Sequence, residues 1–253
     1  MKIDSSWEGS AEWYNKMLVE DNDSYQAKVI LPNLLRAMKI QKGNNILDIA
    51  CGQGFFTREF AKAGGITTGT DISKSMVELA KKNSPLEIKY FYAPADSMPF
   101  VKDNSIDIAT VILGIQNIEN IKGVFDEAHR ILKPKGKFFI VLNHPTFRIP
   151  KQSDWGFDAK GYVQYRRIDS YMIESKSKIE MHPGQNPLEY TVSFHRPLQT
   201  YFKTLGNAGL AVSRLEEWVS HKKSQNGPRR KAEDHARKEI PMFMMMEAVK
   251  FTQ

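Results

Sequence analysis

The sequence predicts a doubly wound α/β fold, a largely parallel sheet with helices on both faces. Three observations carry that expectation. Short apolar runs recur between residues 46 and 143, separated by amphipathic stretches of helical length, the rhythm of right-handed βαβ units. The first run ends in a glycine-rich turn, as a buried parallel strand does where it meets its helix. The chain has 253 residues, of which 41% are hydrophobic and 26% charged, which suits one large globular domain or one domain carrying an insertion.

The elements follow in order. Residues 5–40 read as helical, with Trp13, Met17 and Leu18 on one short apolar face and Val29, Ile30, Leu34, Leu35 and Met38 on a second. Asp21–Ser24 supplies helix-start chemistry between them. Strand one is Ile46–Ala50, a helix runs over Thr57–Ala63 until Gly64-Gly65 stops it, and strand two is Ile66–Thr70. Ser73 caps a helix reaching about Asn83, and Glu87–Tyr92 and Ile106–Leu113 are strands three and four. A helix over Val124–Leu132 ends at the turn Lys133-Pro134-Lys135-Gly136, and Lys137–Asn143 is strand five. Residues 144–196, with four prolines and many aromatics, break the rhythm and read as an insertion covering one end of the sheet. Lys178–His182 and Tyr190–Phe194 are expected as its strands, joined by a Pro-Gly-Gln-Asn-Pro turn. A helix over Leu198–Asn207 and strands Leu210–Trp218 and Met242–Phe251 complete the chain, with a polar, basic stretch over 219–240. The methionines at 242 and 244–246 read as core filling, because residues alternate across a strand and do not converge on a metal.

Bulk properties narrow the function. The formal charge is +7, with the basic residues thickest over 221–238, which is read as a solvated surface with weak steering; a nucleic-acid interface is the alternative. The single cysteine, Cys51, excludes an internal disulfide and paired-cysteine metal sites, and no metal is expected. The first residues lack the apolar segment of a secretory signal, and no run approaches a membrane span, so a cytoplasmic protein without membrane contact is expected.

Chemistry concentrates at the ends of the predicted strands. Residues 46–61, ILDIACGQGFFTREFA, place Asp48 at the end of strand one, followed at once by Gly52 and Gly54. Glycines there let a ligand approach the backbone closely, in the crevice that open α/β sheets form at the carboxyl ends of their strands. Asp71, at the end of strand two, suits a ribose diol. Asp96, in Ala95-Asp96-Ser97-Met98-Pro99-Phe100 after strand three, suits an exocyclic amine, so that a nucleoside would lie along the strand ends.

These motifs resemble the class I S-adenosylmethionine (AdoMet)-dependent methyltransferases of small-molecule type, similar to the ubiquinone- and menaquinone-biosynthesis methyltransferases. The likeness is strongest over residues 40–145. Asp48-Ile49-Ala50-Cys51-Gly52-Gln53-Gly54 matches the family's first motif, an acid and then glycines at alternate positions, with Ala50 in place of the first glycine. Ile106–Ala109 through Gln116-Asn117-Ile118 matches the fourth strand and the loop beside the reactive methyl, and Arg130–Lys137 matches the connection into strand five. A nicotinamide-binding loop would need a third glycine near Phe56–Thr57, and none is present.

The resemblance implies a Rossmann-like methyltransferase sheet, mostly parallel with an antiparallel last strand, plus an inserted cap at about 144–196. It implies a helical lid over 1–40 and a methyltransferase domain over 41–253. Asp48, Ala50, Gly52, Gly54, Asp71, Ile72, Asp96, Ser97 and Leu113 are the implied AdoMet-binding residues, with Tyr14 and Tyr25, beside Trp13, closing from the lid. The implied reaction is in-line methyl transfer to oxygen, nitrogen or carbon of a small molecule, by a monomer or homodimer. A tRNA or rRNA methyltransferase and a non-catalytic AdoMet-binding regulator are the competing readings. Asn117, after strand four, and His144 and His195, as bases whose neutral imidazoles work near pH 7, are the catalytic candidates.

Overall fold

The computed structural model describes residues 23–182 and 186–251. After a wide helical turn at Gln26–Ile30, the chain enters α1 (Leu31–Met38), which ends at Lys39 in a left-handed conformation. It then alternates through β1 (Asn45–Ile49), α2 (Phe55–Lys62), β2 (Ile66–Asp71), α3 (Lys74–Lys82), β3 (Lys89–Tyr92) and β4 (Ile106–Ile112). Next come α4 (Ile121–Ile131) and β5 (Leu132–Asn143). Ser73 caps α3 as expected, its hydroxyl accepting from the Met76 backbone N–H. Two hairpins follow, β6 (Ser153–Asp158) with β7 (Val163–Ile168) and β8 (Ser175–His182) with β9 (Asn186–His195). The chain closes with α5 (Leu198–Asn207), β10 (Leu210–Trp218), α6 (Arg230–Glu239) and β11 (Phe243–Lys250).

The main sheet has seven strands in the order β10-β11-β5-β4-β1-β2-β3. β3, β2, β1, β4 and β5 pair in parallel, and β11 inserts antiparallel to both β5 and β10. The order reverses between β1 and β4, which places a crevice at their carboxyl ends. Alternate residues of each strand feed two cores. Phe138, Ile140 and Leu142 pack with Met244 and Met246 under α4 and α5, whereas Phe139, Val141 and Met245 pack with α1 and α2 on the other face. The methionine-rich stretch is therefore core on both sides of the sheet, as its spacing predicts. Lys250, at the end of β11, reaches the carbonyls of His129 and Leu132 at the C-terminal end of α4 and Oδ1 of Asn104, and so satisfies orphaned carbonyls with a cation.

Several expectations are corrected. The Lys133–Gly136 turn does not separate helix from strand; the strand ladder begins at Leu132, opposite Ile106, and resumes at Lys137, opposite Ile108, so those four residues form a bulge within β5. The insertion holds two hairpins rather than one, and β8 and β9 extend beyond the expected strands. The basic stretch contains a ten-residue helix, α6, which buries only Ala232 and Ala236, too narrow an apolar face for the sequence to announce. Trp13, Met17 and Leu18 of the expected N-terminal face, and the centre of the 183–187 turn, lie outside the described residues.

Candidate active site

The crevice at the ends of β1, β2 and β4 is a cleft of about 500 Å³. Its floor is the turn after β1. Ala50, Gly52 and Gly54 all take left-handed backbone angles, with φ of 55°, 55° and 82°. The turn is fixed from beneath. The Gly52 N–H donates to Oδ2 of Asp71 at 2.8 Å, Cys51 N–H donates to the Thr70 carbonyl, and Asp71 Oδ1 accepts from Ser73 N–H at 2.9 Å. Asp71 thus stands at the strand end with its carboxylate oriented by two backbone donors. Gly54 serves a different purpose from Gly52. It does not line the cleft, and a Cβ on it would sit 2.5 Å from Oη of Tyr90, so its position is glycine for packing beneath the loop rather than for ligand approach.

Asp48 is buried below the turn and accepts from Thr57 Oγ1 at 2.6 Å and Thr110 Oγ1 at 2.8 Å. Burial pushes its carboxyl up to about 6, against the pull of the two hydroxyls. Ile72, Asp96 and Leu113 line the cleft beside Asp48, Ala50, Gly52 and Asp71. Asp96 is held by Asn120, whose Nδ2 donates to its Oδ2 at 2.7 Å, while Asn120 Oδ1 caps α4 at Gly123 N–H. Ser97 is exposed and lies outside the lining.

The loop carrying Asp96 is clamped by α4, a role the sequence did not reveal. Glu127 accepts from the Met98 N–H at 2.6 Å, and Arg130 donates to the carbonyls of Met98 and Val101, to both Glu127 oxygens and to Asp103. The Arg130 guanidinium correspondingly holds Glu127 below the usual carboxylate range.

Opposite the turn, the β8–β9 hairpin contributes Lys176, Val192 and Phe194 to the cleft. Asn117 joins this hairpin to the sheet, its Nδ2 donating to the Val192 carbonyl at 2.7 Å and to Thr191 Oγ1 at 3.2 Å. Arg196 supports the same junction by donating to the carbonyls of Ile118 and Glu119. The signal for these lining residues was absent from the sequence, because they reach the cleft only through tertiary contact.

The two histidines lie outside the lining. In His144, Nδ1 accepts from the Thr146 N–H at 3.2 Å, which leaves the proton on Nε2, 2.6 Å from Glu217 Oε1. Burial lowers its pKa, opposed by Glu217. His195 is buried, with Nε2 donating to the Tyr171 carbonyl at 2.7 Å. Tyr25 also lies outside the lining. It bonds to Ser220 at 3.0 Å and packs edge-on against Phe243 and His221. Tyr14 falls outside the described residues.

Ala50 has a partner across the floor. A Cβ placed on Gly114 would come within 2.9 Å of the Ala50 Cβ. Gly114→Ala should therefore destabilise the protein by about 1–3 kcal/mol, through overpacking. Adding Ala50→Gly, which removes both the clash and the left-handed strain, should recover most of that loss. Denaturant unfolding of the two single variants and the double variant checks this, and strictly additive effects would count against the pairing.

The cleft residues have a consistent donor set for AdoMet. Asp71 suits a ribose diol and Asp96 an exocyclic amine. Asp48, Asp71, Asp96 and Glu119 outweigh the one ammonium among the lining residues, Lys176, as a cationic sulfonium requires. Residues 47–140 match the family described as a methyltransferase domain. The chain is 35% identical over 133 residues to demethylmenaquinone methyltransferase of Staphylococcus aureus, an alignment covering 50% of this chain, and it spans about half (55%) of the length of those curated relatives. The structure is similar to that of an S-adenosylmethionine-dependent methyltransferase from Mesorhizobium loti, with a TM-score of 0.68 and 28% identity over 86% of this chain and 96% of that one. It shares its fold with the glycopeptide N-methyltransferase MtfA in complex with S-adenosyl-L-methionine, with a TM-score of 0.59 and 15% identity over 86% and 91% of the two chains. Together with the switch-point cleft and its acids, these findings identify residues 47–140 as a methyltransferase domain of the class I S-adenosylmethionine-dependent kind, whose cofactor is AdoMet.

Proposed function

We propose that the protein transfers the methyl group of AdoMet, by in-line displacement, to an oxygen, nitrogen or carbon atom of a small molecule. The observation that carries this reading is the roof. Val192 and Phe194 of β9 line the same cleft as the turn after β1, and Asn117 ties that hairpin to the end of β4, giving a largely apolar cleft of about 500 Å³, within the range of small-molecule sites. The Staphylococcus aureus relatives are named for a quinone acceptor, a small molecule of the same class.

Bound AdoMet supplies an already activated methyl group, so the chain's task is to hold the reactants and exclude water. Asp71 and Asp96 would hold the nucleoside, and the backbone of Ala50–Gly52 would carry the amino-acid end. Phe55, Phe56, Ile118, Val192 and Phe194 supply the dry walls. Asn117 is read as a positioning residue, since its amide is spent on Thr191 and Val192. His144 and His195 are read as structural, because His144 uses Nδ1 to accept from the chain and both rings are outside the lining. Holding donor and acceptor in line is thus read as the chain's main contribution, and neither histidine is placed to act as the base.

Asp71→Ala should weaken AdoMet binding by about 1–3 kcal/mol, the cost of losing charge-assisted hydrogen bonds to the ribose. Titration calorimetry reads this, and an unchanged affinity removes Asp71 from the site. The activity itself is tested by incubating the chain with AdoMet and quinols, phenols, amines or carboxylic acids, with unmodified tRNA in parallel. S-adenosylhomocysteine formed with a small acceptor is the expected result. Turnover with RNA alone, or AdoMet binding without turnover on any acceptor, would replace this reading by an RNA methyltransferase or a non-catalytic regulator.

A further inference from the structure

Away from the cofactor cleft, the loop between β10 and α6 folds back against α6 and forms a second, open cavity of about 560 Å³. Among the described residues its lining carries five cations, Lys222, Lys223, Arg229, Arg230 and Arg237, against one carboxylate, Glu233, while Asp23 lies 3.9 Å from Lys222 just outside the lining. A merely solvated charge run would spread into water, whereas this one is tied into a concave shape. The Ser224 N–H donates to Asp234 Oδ1 at 2.7 Å, Arg237 Nε donates to Ser224 Oγ at 3.1 Å, and Arg230 donates to Asn226 Oδ1 at 2.6 Å. Asp234 lies 3.6 Å from Arg230 and offsets part of that one charge. The Arg229 guanidinium sits 4.4 Å from the centre of the Phe157 ring, which docks the loop on the β6–β7 hairpin.

The hairpin side supplies an independent observation. Arg148 and Arg166 both lie over the Trp155 ring, 5.1 and 5.3 Å from its centre. The Nε of Arg148 is buried without a hydrogen-bond partner among the described residues. Burial, then Arg166 and Arg237, push the Arg148 guanidinium down to about 10, and among the described residues no carboxylate acts on it. Arg237, in the cavity lining, also adds to the positive field felt by Arg148. Lys222, Arg237, Arg148 and Arg166 are half-buried; holding like charges there is costly, Asp23 beside Lys222 and Asp154 near Arg166 offset part of that cost, and an anion bound among them would offset more.

We propose that this cavity is a binding site for a phosphoryl group, separate from the AdoMet cleft. Guanidinium forks and an ammonium converging on one space match the several oxygens and multiple charge of a phosphate chain. Set against Asp23, Glu233 and Asp234, the five cations keep the cavity net positive, which a multiply charged anion matches better than a single carboxylate does. The phosphoryl group belongs either to a small phosphorylated ligand or to a nucleic-acid backbone, and these are separated by the probes.

Pyrophosphate, titrated calorimetrically into the whole chain at constant ionic strength, should bind saturably. The Lys223→Ala/Arg229→Ala double variant should weaken that binding by about tenfold or more, one pair of lost charge-assisted contacts, while S-adenosylhomocysteine affinity stays unchanged. Arg237→Gln is the second variant, keeping a donor for Ser224 while removing the charge, and should show the same selective loss. A short single-stranded RNA is the second probe. RNA bound more tightly than pyrophosphate, with affinity falling steeply as salt rises, assigns the site to a nucleic-acid backbone. Pyrophosphate bound more tightly assigns it to a small phosphorylated ligand. No saturable binding of either probe, or binding that both variants leave unaltered, overturns the proposal.

Discussion

Gly52→Val should abolish measurable binding of AdoMet while leaving the sheet folded. Gly52 sits at φ 55° on the floor of the cleft, and its N–H donates to Asp71. An L-residue in the left-handed region costs about 1–2 kcal/mol, and a β-branched one is a sterically more severe outlier. The turn therefore either shifts, which pulls the N–H off Asp71, the acid proposed to hold the ribose, or stays and projects two methyl groups into the cleft. Both outcomes remove affinity, and a loss of about 100-fold or more is expected, equivalent to about 3 kcal/mol. Gly52 lies beyond the last residue of β1 and in none of the apolar cores, so circular dichroism should show an intact α/β protein with a slightly lower melting temperature. Normal heat on titration with AdoMet would refute the assignment of this turn. Gly54→Val is the contrast. Its Cβ would meet Tyr90, so it should lose stability first and affinity only as a consequence.

That contrast shows where the sequence is informative. The turn motif marks Gly52 and Gly54 alike, and only the packing of Tyr90 separates a ligand-facing glycine from a buried one. β1, β4, β5 and β11 are legible because strands covered on both faces read as continuous apolar runs. β6 and β7 are not, since no residue of Val163–Ile168 is fully buried, its centre is polar, and the strand is held by Arg166 bonding to Phe147 and Ser153. The acids at the strand ends are legible because each is local to its own strand. The roof is not, because Lys176, Val192 and Phe194 lie far along the chain and reach the cleft only once Asn117 has gripped β9. Imidazole chemistry picks out His144 and His195 by residue type. What decides their role is which ring nitrogen is already engaged, and that is set by Thr146, Glu217 and Tyr171, contacts that no spacing encodes.

Asp48→Asn should make the protein more stable at pH 8 and a poorer binder of AdoMet. The wild-type carboxyl is fully buried and titrates at about 6, above the ordinary value of about 3.9 for an unfolded chain. A folded-state pKa raised in this way means that the folded form holds the proton more tightly. The contribution to stability is complete below about pH 4, is lost progressively as pH rises, and is gone above about pH 6, where the folded protein must carry a buried anion. Ionised Asp48 should therefore cost about 2–3 kcal/mol at pH 8. Asparagine fills nearly the same space and still accepts from Thr57 or Thr110 through one oxygen, without the charge. The gain in unfolding free energy should thus emerge between about pH 4 and 6 and level off above, because below that range the two proteins carry the same charge at this position. A buried anion beneath the turn is worth its destabilisation only if a cation binds above it, so AdoMet affinity should fall in the same variant as stability rises. Denaturant unfolding at pH 4 and pH 8, paired with calorimetry at pH 8, reads both effects. A stability gain that does not depend on pH would show that Asp48 is not the titrating group, and a gain without loss of affinity would show that its charge serves the fold rather than the ligand.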